Sequence, residues 1–376
     1  MKLDHDLQRL RCLGLAIAGT NGKSTTSALL GRMLQHNQRR IAVCGPETQS
    51  PASLIERSVD LDYAVLQLEV SELKSVQFFR PAVAVLLNIG PDPLAAHPDA
   101  DSFARAFAPL FANQQFFDWA IVQARALAKL RELDVPVPAK TITFSATDPE
   151  ADLIMDRGLL VSRIPGWEGP LLDFDHCLLR GGHNAENLLA AVAVGHVLRI
   201  PLEGMADALK TFYPGPHRCE LVAEIHGVQF VNDSKSSNLD AMEHAVLAQR
   251  PGPDGRPNVW LIAGGTDEPQ DFHAAGPVIS NRVKGAVLIG KASQKIRSAW
   301  SLFTPCATAP SLLEAVAEAA RNATSGDVIL LSPACSGLDQ FRNHQHRGQV
   351  FYEAVKSIGR GRKAPDPYMH GLPAPA

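Results

Sequence analysis

The chain lacks the marks of a secreted, membrane-bound or nucleic-acid-binding protein. None of its apolar runs reaches the length of a bilayer span, and the N-terminus Met1-Lys2-Leu3-Asp4-His5-Asp6 has no basic-then-apolar leader. The six cysteines, Cys12, Cys44, Cys177, Cys219, Cys306 and Cys335, are scattered without a C-x-x-C spacing. Neither a zinc site nor a redox pair is expected, and the thiols are expected to be reduced. Neither sign of charge dominates: 36 Lys and Arg against 39 Asp and Glu leave a formal charge of -3, with no basic stripe to attract nucleic acid. A cytoplasmic protein is the expectation. Hydrophobic residues at 45% and charged residues at 20% describe a globular protein, and 376 residues exceed what one core usually serves, so two domains are expected.

The most informative stretch is Gly19-Thr20-Asn21-Gly22-Lys23-Ser24-Thr25, directly after the apolar run Leu15 to Ala18. It reads as strand, phosphate loop, helix. The glycines let backbone amides approach phosphates, Lys23 supplies charge for the outer phosphates, and Ser24 offers a hydroxyl to Mg2+. ATP with Mg2+ is the expected ligand pair. The match is not the strict eight-residue pattern, since Ile17 stands five places before Gly22 where a glycine is usual. A glycine-rich turn can be mere punctuation, but the strand, the Gly-Lys-Ser and the following helix together oppose that reading.

Short apolar runs alternate with helical patterns: Ile41 to Cys44, Tyr63 to Leu68, Ala82 to Leu87 and Ala120 to Val122 read as strands of a parallel sheet flanked by helices. Between Val135 and Leu179 the rhythm loosens, with Thr141 to Phe144 and Leu159 to Val161 as strands of a small β extension. A helix contains Asn187 to Leu198, and Tyr213-Pro214-Gly215-Pro216 suits an interdomain hinge. The βα rhythm then restarts with Val228 to Val231, Val259 to Ala263, Ala286 to Ile289 and Val328 to Leu331. The expected class is α/β: a P-loop ATPase domain with a parallel sheet over residues 1-213, then a Rossmann-like α/β domain over 214-360. The glycine- and proline-rich stretch 361-376 is expected to fray.

Further segments accompany the loop: Gly182-His183-Asn184-Ala185-Glu186-Asn187, His217-Arg218 with Asn232-Asp233-Ser234-Lys235-Ser236-Ser237-Asn238, and Leu331-Ser332-Pro333-Ala334-Cys335 continuing through Asp339-Gln340-Phe341 to Arg347-Gly348. In this order, over nearly the whole chain, they resemble the Mur ligase family, nearest its D-glutamate-adding branch. The resemblance implies a central ATP-binding domain, a C-terminal Rossmann-like domain, and activation of a carboxylate as an acyl phosphate that an amine attacks to form an amide. It implies that Lys23, Glu69 and Lys235 take part in catalysis, and that Ser24 and Glu69 hold Mg2+. It also implies that Gly19 to Thr25, Asn184, Asn187, Arg218 and Asp233 bind the nucleotide, with both domains needed for a closed site. Peptidoglycan precursors or related small carboxylates are the implied substrates.

Blander readings stand beside these. His183-Asn184 suits a helix cap, Asp233 and Lys235 a surface ion pair, Arg218 a hinge staple, and Glu69 a solvated charge at a strand end. Glu69 does follow a strand whose carboxyl end is where open α/β sheets gather ligands.

The sequence also departs from the family pattern. Pro93 stands where a metal-binding histidine is usual, and Phe107 where a lysine is carbamylated to support a second Mg2+; His97 or Asp99 could contribute to a rearranged site. Glu268 stands where the D-glutamate-adding members carry a lysine for the incoming carboxylate. Ser237 replaces a threonine there, Gly337 a serine and His344 a phenylalanine. The acceptor is therefore expected to be neutral or cationic rather than D-glutamate. Only about a dozen residues precede the first strand, so the N-terminal UDP-gripping domain is expected to be lacking. Either the carboxylate lacks UDP, as in folate-polyglutamate ligases, or a partner protein holds it. The rival from another class is an ATP-binding scaffold or regulatory protein derived from such a ligase.

Overall fold

The computed structural model describes residues 2-46, 48-91, 97, 99-179, 181-213, 215-252 and 255-359. It divides into two compact units, residues 1-214 and 215-376. The expected Pro93 and the tail 361-376 lie outside the described residues.

The first unit is built on one nine-stranded sheet in the order β2-β3-β1-β4-β5-β6-β7-β8-β9. Its strands are β1 (Leu13–Ala18), β2 (Ile41–Cys44), β3 (Tyr63–Gln67), β4 (Val83–Leu86), β5 (Trp119–Gln123), β6 (Lys140–Ser145), β7 (Leu153–Asp156), β8 (Leu159–Ser162) and β9 (Gly169–Asp173). Strands β1 to β7 pair in parallel, whereas β8 runs antiparallel to both β7 and β9. The expected small β extension is thus continuous with the main sheet. Strands β7 and β9 escape sequence reading because they are short and only partly buried, without a long apolar run to mark them.

Burial on both faces explains the near-continuous apolar character of β1. Leu15 and Ile17 join one core with Leu29, Leu30, Met33 and Leu34 of the helix Lys23–His36 and with Leu188 to Val194 of the helix Gly182–Val197. Ala16 and Ala18 join the opposite core, which holds Phe103, Phe107, Leu110 and Phe111. Each face removes its apolar side chains from water at roughly 25 cal/mol per Å2.

The second unit holds a six-stranded sheet in the order β10-β11-β15-β12-β13-β14. These are β10 (Glu220–Ile225), β11 (Val228–Asn232), β12 (Val259–Gly264), β13 (Val283–Ile289), β14 (Cys306–Thr308) and β15 (Val328–Leu331). All pairings are parallel except β10 with β11, a hairpin closed by His226 and Gly227, both at positive φ (51° and 75°). That pair of left-handed residues matches the strand twist that tight hairpins require. The edge strands β10 and β14 are only partly buried, so their sequences carry little apolar pattern. Here too successive residues face alternate cores: Val328 and Leu330 one, Ile329 and Leu331 the other. Among the described residues no helix is long and apolar enough to cross a membrane.

Candidate functional site

In the first unit, the loop after β1 wraps the start of the helix Lys23–His36. Gly19 and Gly22 sit at φ 145° and 89°, conformations that favour glycine. A Cβ on Gly22 would lie 2.4 Å from Asn187 Oδ1, so the loop has no room for a side chain there. The loop is fixed from a neighbouring strand end. Asn88, just beyond β4, accepts the Asn21 amide with Oδ1 at 2.9 Å and donates Nδ2 to the Asn21 carbonyl at 3.1 Å, and the Gly90 amide donates to Thr20 Oγ1 at 2.9 Å. Asn88 was not among the expected site residues; an amide side chain directly after an apolar run was the available signal.

Lys23 folds back over the loop, its Nζ donating to the carbonyls of Gly19 at 2.6 Å and Thr20 at 3.1 Å. The same Nζ lies 3.3 Å from Glu69 Oε2. Glu69 is therefore an ion-pair partner of the loop lysine and no isolated surface charge. Its position follows from β3, whose end lies against β1 through the Leu68 amide and the Ile17 carbonyl (2.9 Å), and from the Glu72 carboxylate, which accepts the Glu69 amide at 2.8 Å. A Ser24 hydroxyl and a Glu69 carboxylate form a hard oxygen donor set. That chemistry fits Mg2+, which keeps waters and phosphate oxygens in its shell. Among the described residues there is no group of three His, Cys, Asp or Glu side chains suited to a metal.

Asn184 and Asn187 are buried in the helix Gly182–Val197. The cap position of that helix is Gly181, so Asn184 is no helix cap. Asn187 accepts the Thr26 hydroxyl with Oδ1 at 3.2 Å, the same oxygen that stands against Gly22 of the loop, and donates to Asn184 Oδ1 at 3.1 Å.

Phe107 is fully buried and packs edge-on to Phe103 at 5.5 Å, which in turn meets His97 edge-on at 5.2 Å. The position is an apolar core site. Asp99 caps the helix Ala100–Arg105, accepting the Ser102 amide at 2.7 Å.

In the second unit, the ends of β11 and β15 bring Asp233 beside Ser332. Asp233 Oδ2 accepts the Ser332 hydroxyl at 2.9 Å and Oδ1 accepts the Cys219 amide at 3.1 Å. At 8% exposure, Asp233 is a buried carboxylate and no surface charge. Burial pushes its carboxyl up to about 7, against the opposing pull of Ser332, Cys219 and the Arg218 charge. Burial also lowers the Arg218 guanidinium, with Asp233 acting in the other direction. Arg218 lies between two left-handed residues, His217 (φ 66°) and Cys219 (φ 48°). Such residues store strain and persist only where neighbours hold them. The holders are Glu220 Oε2, which accepts the His217 amide at 2.8 Å, Lys235, whose amide donates to the His217 carbonyl at 3.1 Å, and Asn232 Nδ2, 3.0 Å from His217 Nδ1.

Arg347, which stands at the close of the last of the sequence segments but carries no assigned role there, is only 1% exposed. Its fork donates to Ser234 Oγ at 3.1 Å, the Ser234 carbonyl at 2.8 Å and the Cys335 carbonyl at 3.0 Å, and burial lowers it to about 10. A Cβ on Gly337 would lie 2.6 Å from Arg347 Nη1, so the guanidinium occupies the room a serine would need. His344, whose carbonyl accepts the Ser234 hydroxyl at 2.8 Å, is pushed down to about 4 by burial and by Lys235 and Arg218. It is uncharged at neutral pH. Glu268 is partly buried and its carboxyl is raised by burial. Its carbonyl accepts Lys295 Nζ at 3.1 Å, and the same ammonium pairs with Asp267 at 3.1 Å.

These two constellations can be set against known proteins. The Mur ligase middle domain matches residues 17-195, and the Mur ligase glutamate ligase domain matches residues 217-335. The chain belongs to the Mur ligase family. Among Mur ligases, it is 36% identical over 344 residues to UDP-N-acetylmuramoylalanine–D-glutamate ligase of Acidobacterium capsulatum, covering 91% of this chain and 73% of that one. It is 33% identical over 350 residues to the enzyme of that name from Koribacter versatilis, covering 93% and 76%. The fold is shared with the MurF ligase of Thermotoga maritima, solved in complex with ADP, at TM-score 0.71 and 16% identity over 95% of this chain and 83% of that one. A pseudomurein peptide ligase type C from Methanothermus fervidus aligns at TM-score 0.69 and 15% identity, covering 93% and 79%.

Proposed function

We propose that this Mur ligase homologue is an ATP-dependent amide ligase acting on a peptidoglycan precursor. A carboxylate oxygen takes the terminal phosphoryl group of ATP, releasing ADP; an amine then attacks the acyl carbon and phosphate leaves. The observation that carries this reading is the 3.3 Å pairing of Lys23 with Glu69 at the mouth of a glycine-fixed phosphate loop, in a chain matched by both family domains.

In this reading the amides after Gly19 and the Lys23 ammonium neutralise phosphate charge, and Ser24 and Glu69 hold Mg2+. The metal's contribution when bound is to offset charge on the transferring phosphoryl group. Asn88 and Asn187 keep the loop and the following helix in register, and Asn184 and Asn187 offer amides to the base. Arg218, Asp233 and Lys235 are assigned to nucleotide binding, and Ser237, Glu268, Gly337 and His344 to the acceptor. Most of the catalysis is then positioning and charge stabilisation.

For the acceptor we infer a side chain that is neutral or cationic. Glu268 contributes a carboxylate, Gly337 no hydroxyl, and His344 no charge at neutral pH. A second carboxylate beside Glu268 would be repelled. The test is ADP release from Mg2+ATP across a panel of carboxylates and amino acids, with Lys23→Ala as control. Release that requires both a carboxylate and an amine, and is lost in the control, is expected. Release needing neither overturns the ligase reading, and fastest turnover with D-glutamate overturns the acceptor inference alone.

A further inference from the structure

The Asp233 carboxylate is the hub of the second unit's polar site, and one of its donors comes from a residue to which no role has been given. Ser332, fully buried at the end of β15, donates to Asp233 Oδ2 at 2.9 Å. The other oxygen accepts the Cys219 amide, and Cys219 is one of the two left-handed residues flanking Arg218. A chain of contacts thus runs from Ser332 through Asp233 to the strained turn that carries the guanidinium. If the Ser332 hydroxyl is removed, Oδ2 loses a donor inside a buried site, and a buried carboxylate without donors turns or takes a proton. Either change weakens its hold on the Cys219 amide.

We propose that Ser332 is a positioning residue for the nucleotide, acting through Asp233 to hold the His217-Arg218-Cys219 turn in place. This rests on the reading that Arg218 and Asp233 bind ATP. The groups bearing on Asp233 belong to several elements. Arg218 and the Cys219 thiol precede β10, Ser332 follows β15, and Arg347 belongs to the helix His344–Gly359. Burial opposes the carboxylate, while the Ser332 hydroxyl, the Cys219 amide and thiol and the Arg218 charge favour it, the Ser332 hydrogen bond being the largest of these favourable contributions.

The experiment measures kcat/KM for ATP against pH in the full chain, for wild type, Ser332→Ala and Ser332→Thr, with Mg2+ATP binding of each measured separately. The wild-type acidic limb is expected near Asp233's value of about 7, because the ionised carboxylate accepts from Ser332 and Cys219. Ser332→Ala is expected to move that limb alkaline by about one unit and to raise KM for ATP more than it lowers kcat. Ser332→Thr, which keeps the hydroxyl, is expected to restore the wild-type profile. An unmoved limb in Ser332→Ala overturns the proposal. If that variant does not fold, Ser332→Cys, a weaker donor of similar size, is measured instead: an alkaline shift supports the proposal and an unchanged profile overturns it. Failure of wild type itself to bind Mg2+ATP overturns the underlying nucleotide reading, and is thereby distinguished from failure of the Ser332 link.

Discussion

Asn187 accepts the Thr26 hydroxyl at 3.2 Å, joining residues 161 positions apart in the sequence. Thr26 belongs to the helix that follows the phosphate loop, and the same Asn187 oxygen stands against Gly22. The loop is therefore shaped by a helix from the far end of its unit. Replacing Gly22 with alanine forces a Cβ into that oxygen at a left-handed position, which costs about 1–2 kcal/mol in backbone strain alone. Gly22→Ala is expected to weaken Mg2+ATP binding at least about tenfold, as read by titration calorimetry. Affinity equal to wild type would remove the loop from the nucleotide site.

Lys23 and Glu69 form the charge pair at the loop mouth. Lys23→Ala and Glu69→Gln are each expected to lower ADP release by about 10²–10³-fold, the range for losing one group that stabilises transition-state charge. The Glu69→Gln defect should shrink as Mg2+ is raised if its carboxylate holds the metal. Single-turnover assays across a Mg2+ series read both effects.

Phe107 sits in an aromatic core, edge-on to Phe103. Phe107→Ala is expected to cost about 3–5 kcal/mol of unfolding free energy, and Phe107→Lys no less, since the ammonium would be buried among Phe103, Leu110 and Phe111. Urea denaturation checks the first point. Faster turnover by a folded Phe107→Lys protein would contradict the view that this position belongs to the core.

Asp233 gives the protein a stability that depends on pH. Its folded value of about 7 lies above the unfolded value, so the native state holds this proton more tightly. The resulting stabilisation is complete below the unfolded value and is lost as pH rises through the folded one. Asp233→Asn removes that dependence: its stability relative to wild type should rise between pH 5 and pH 8, while ATP-dependent activity falls. Denaturant titrations at both pH values test it, and a constant difference between the proteins would contradict it.

Local chemistry made the first half of the site legible. Gly19 to Thr25 announce their turn in seven adjacent residues, and Glu69 follows from its place after a clear strand. Parallel strands buried on both faces, such as β1 and β15, are equally plain because each is a short apolar run. What escaped notice depends on distance in sequence. Ser332 meets Asp233, and Arg347 meets Ser234 and Cys335, only once β11 and β15 are neighbours. Asp233 and Lys235 look alike as surface charges in the sequence, but burial separates them. Strands β7, β9, β10 and β14 were missed because little apolar patterning survives where a strand is short or lies at a sheet edge.

The β10–β11 hairpin, with its two-residue turn at His226 and Gly227, also bears on the order of folding. Every other pairing in that sheet joins strands separated by long stretches of chain, whereas this one needs a closure that takes about 1–10 μs in isolated hairpins. The strand that leads into Asp233 can therefore acquire a partner before the central strands find theirs. Pulse-labelled hydrogen exchange during refolding should show β11 amides protected ahead of those in β12 and β13. Simultaneous protection would instead mark the sheet as a single kinetic unit.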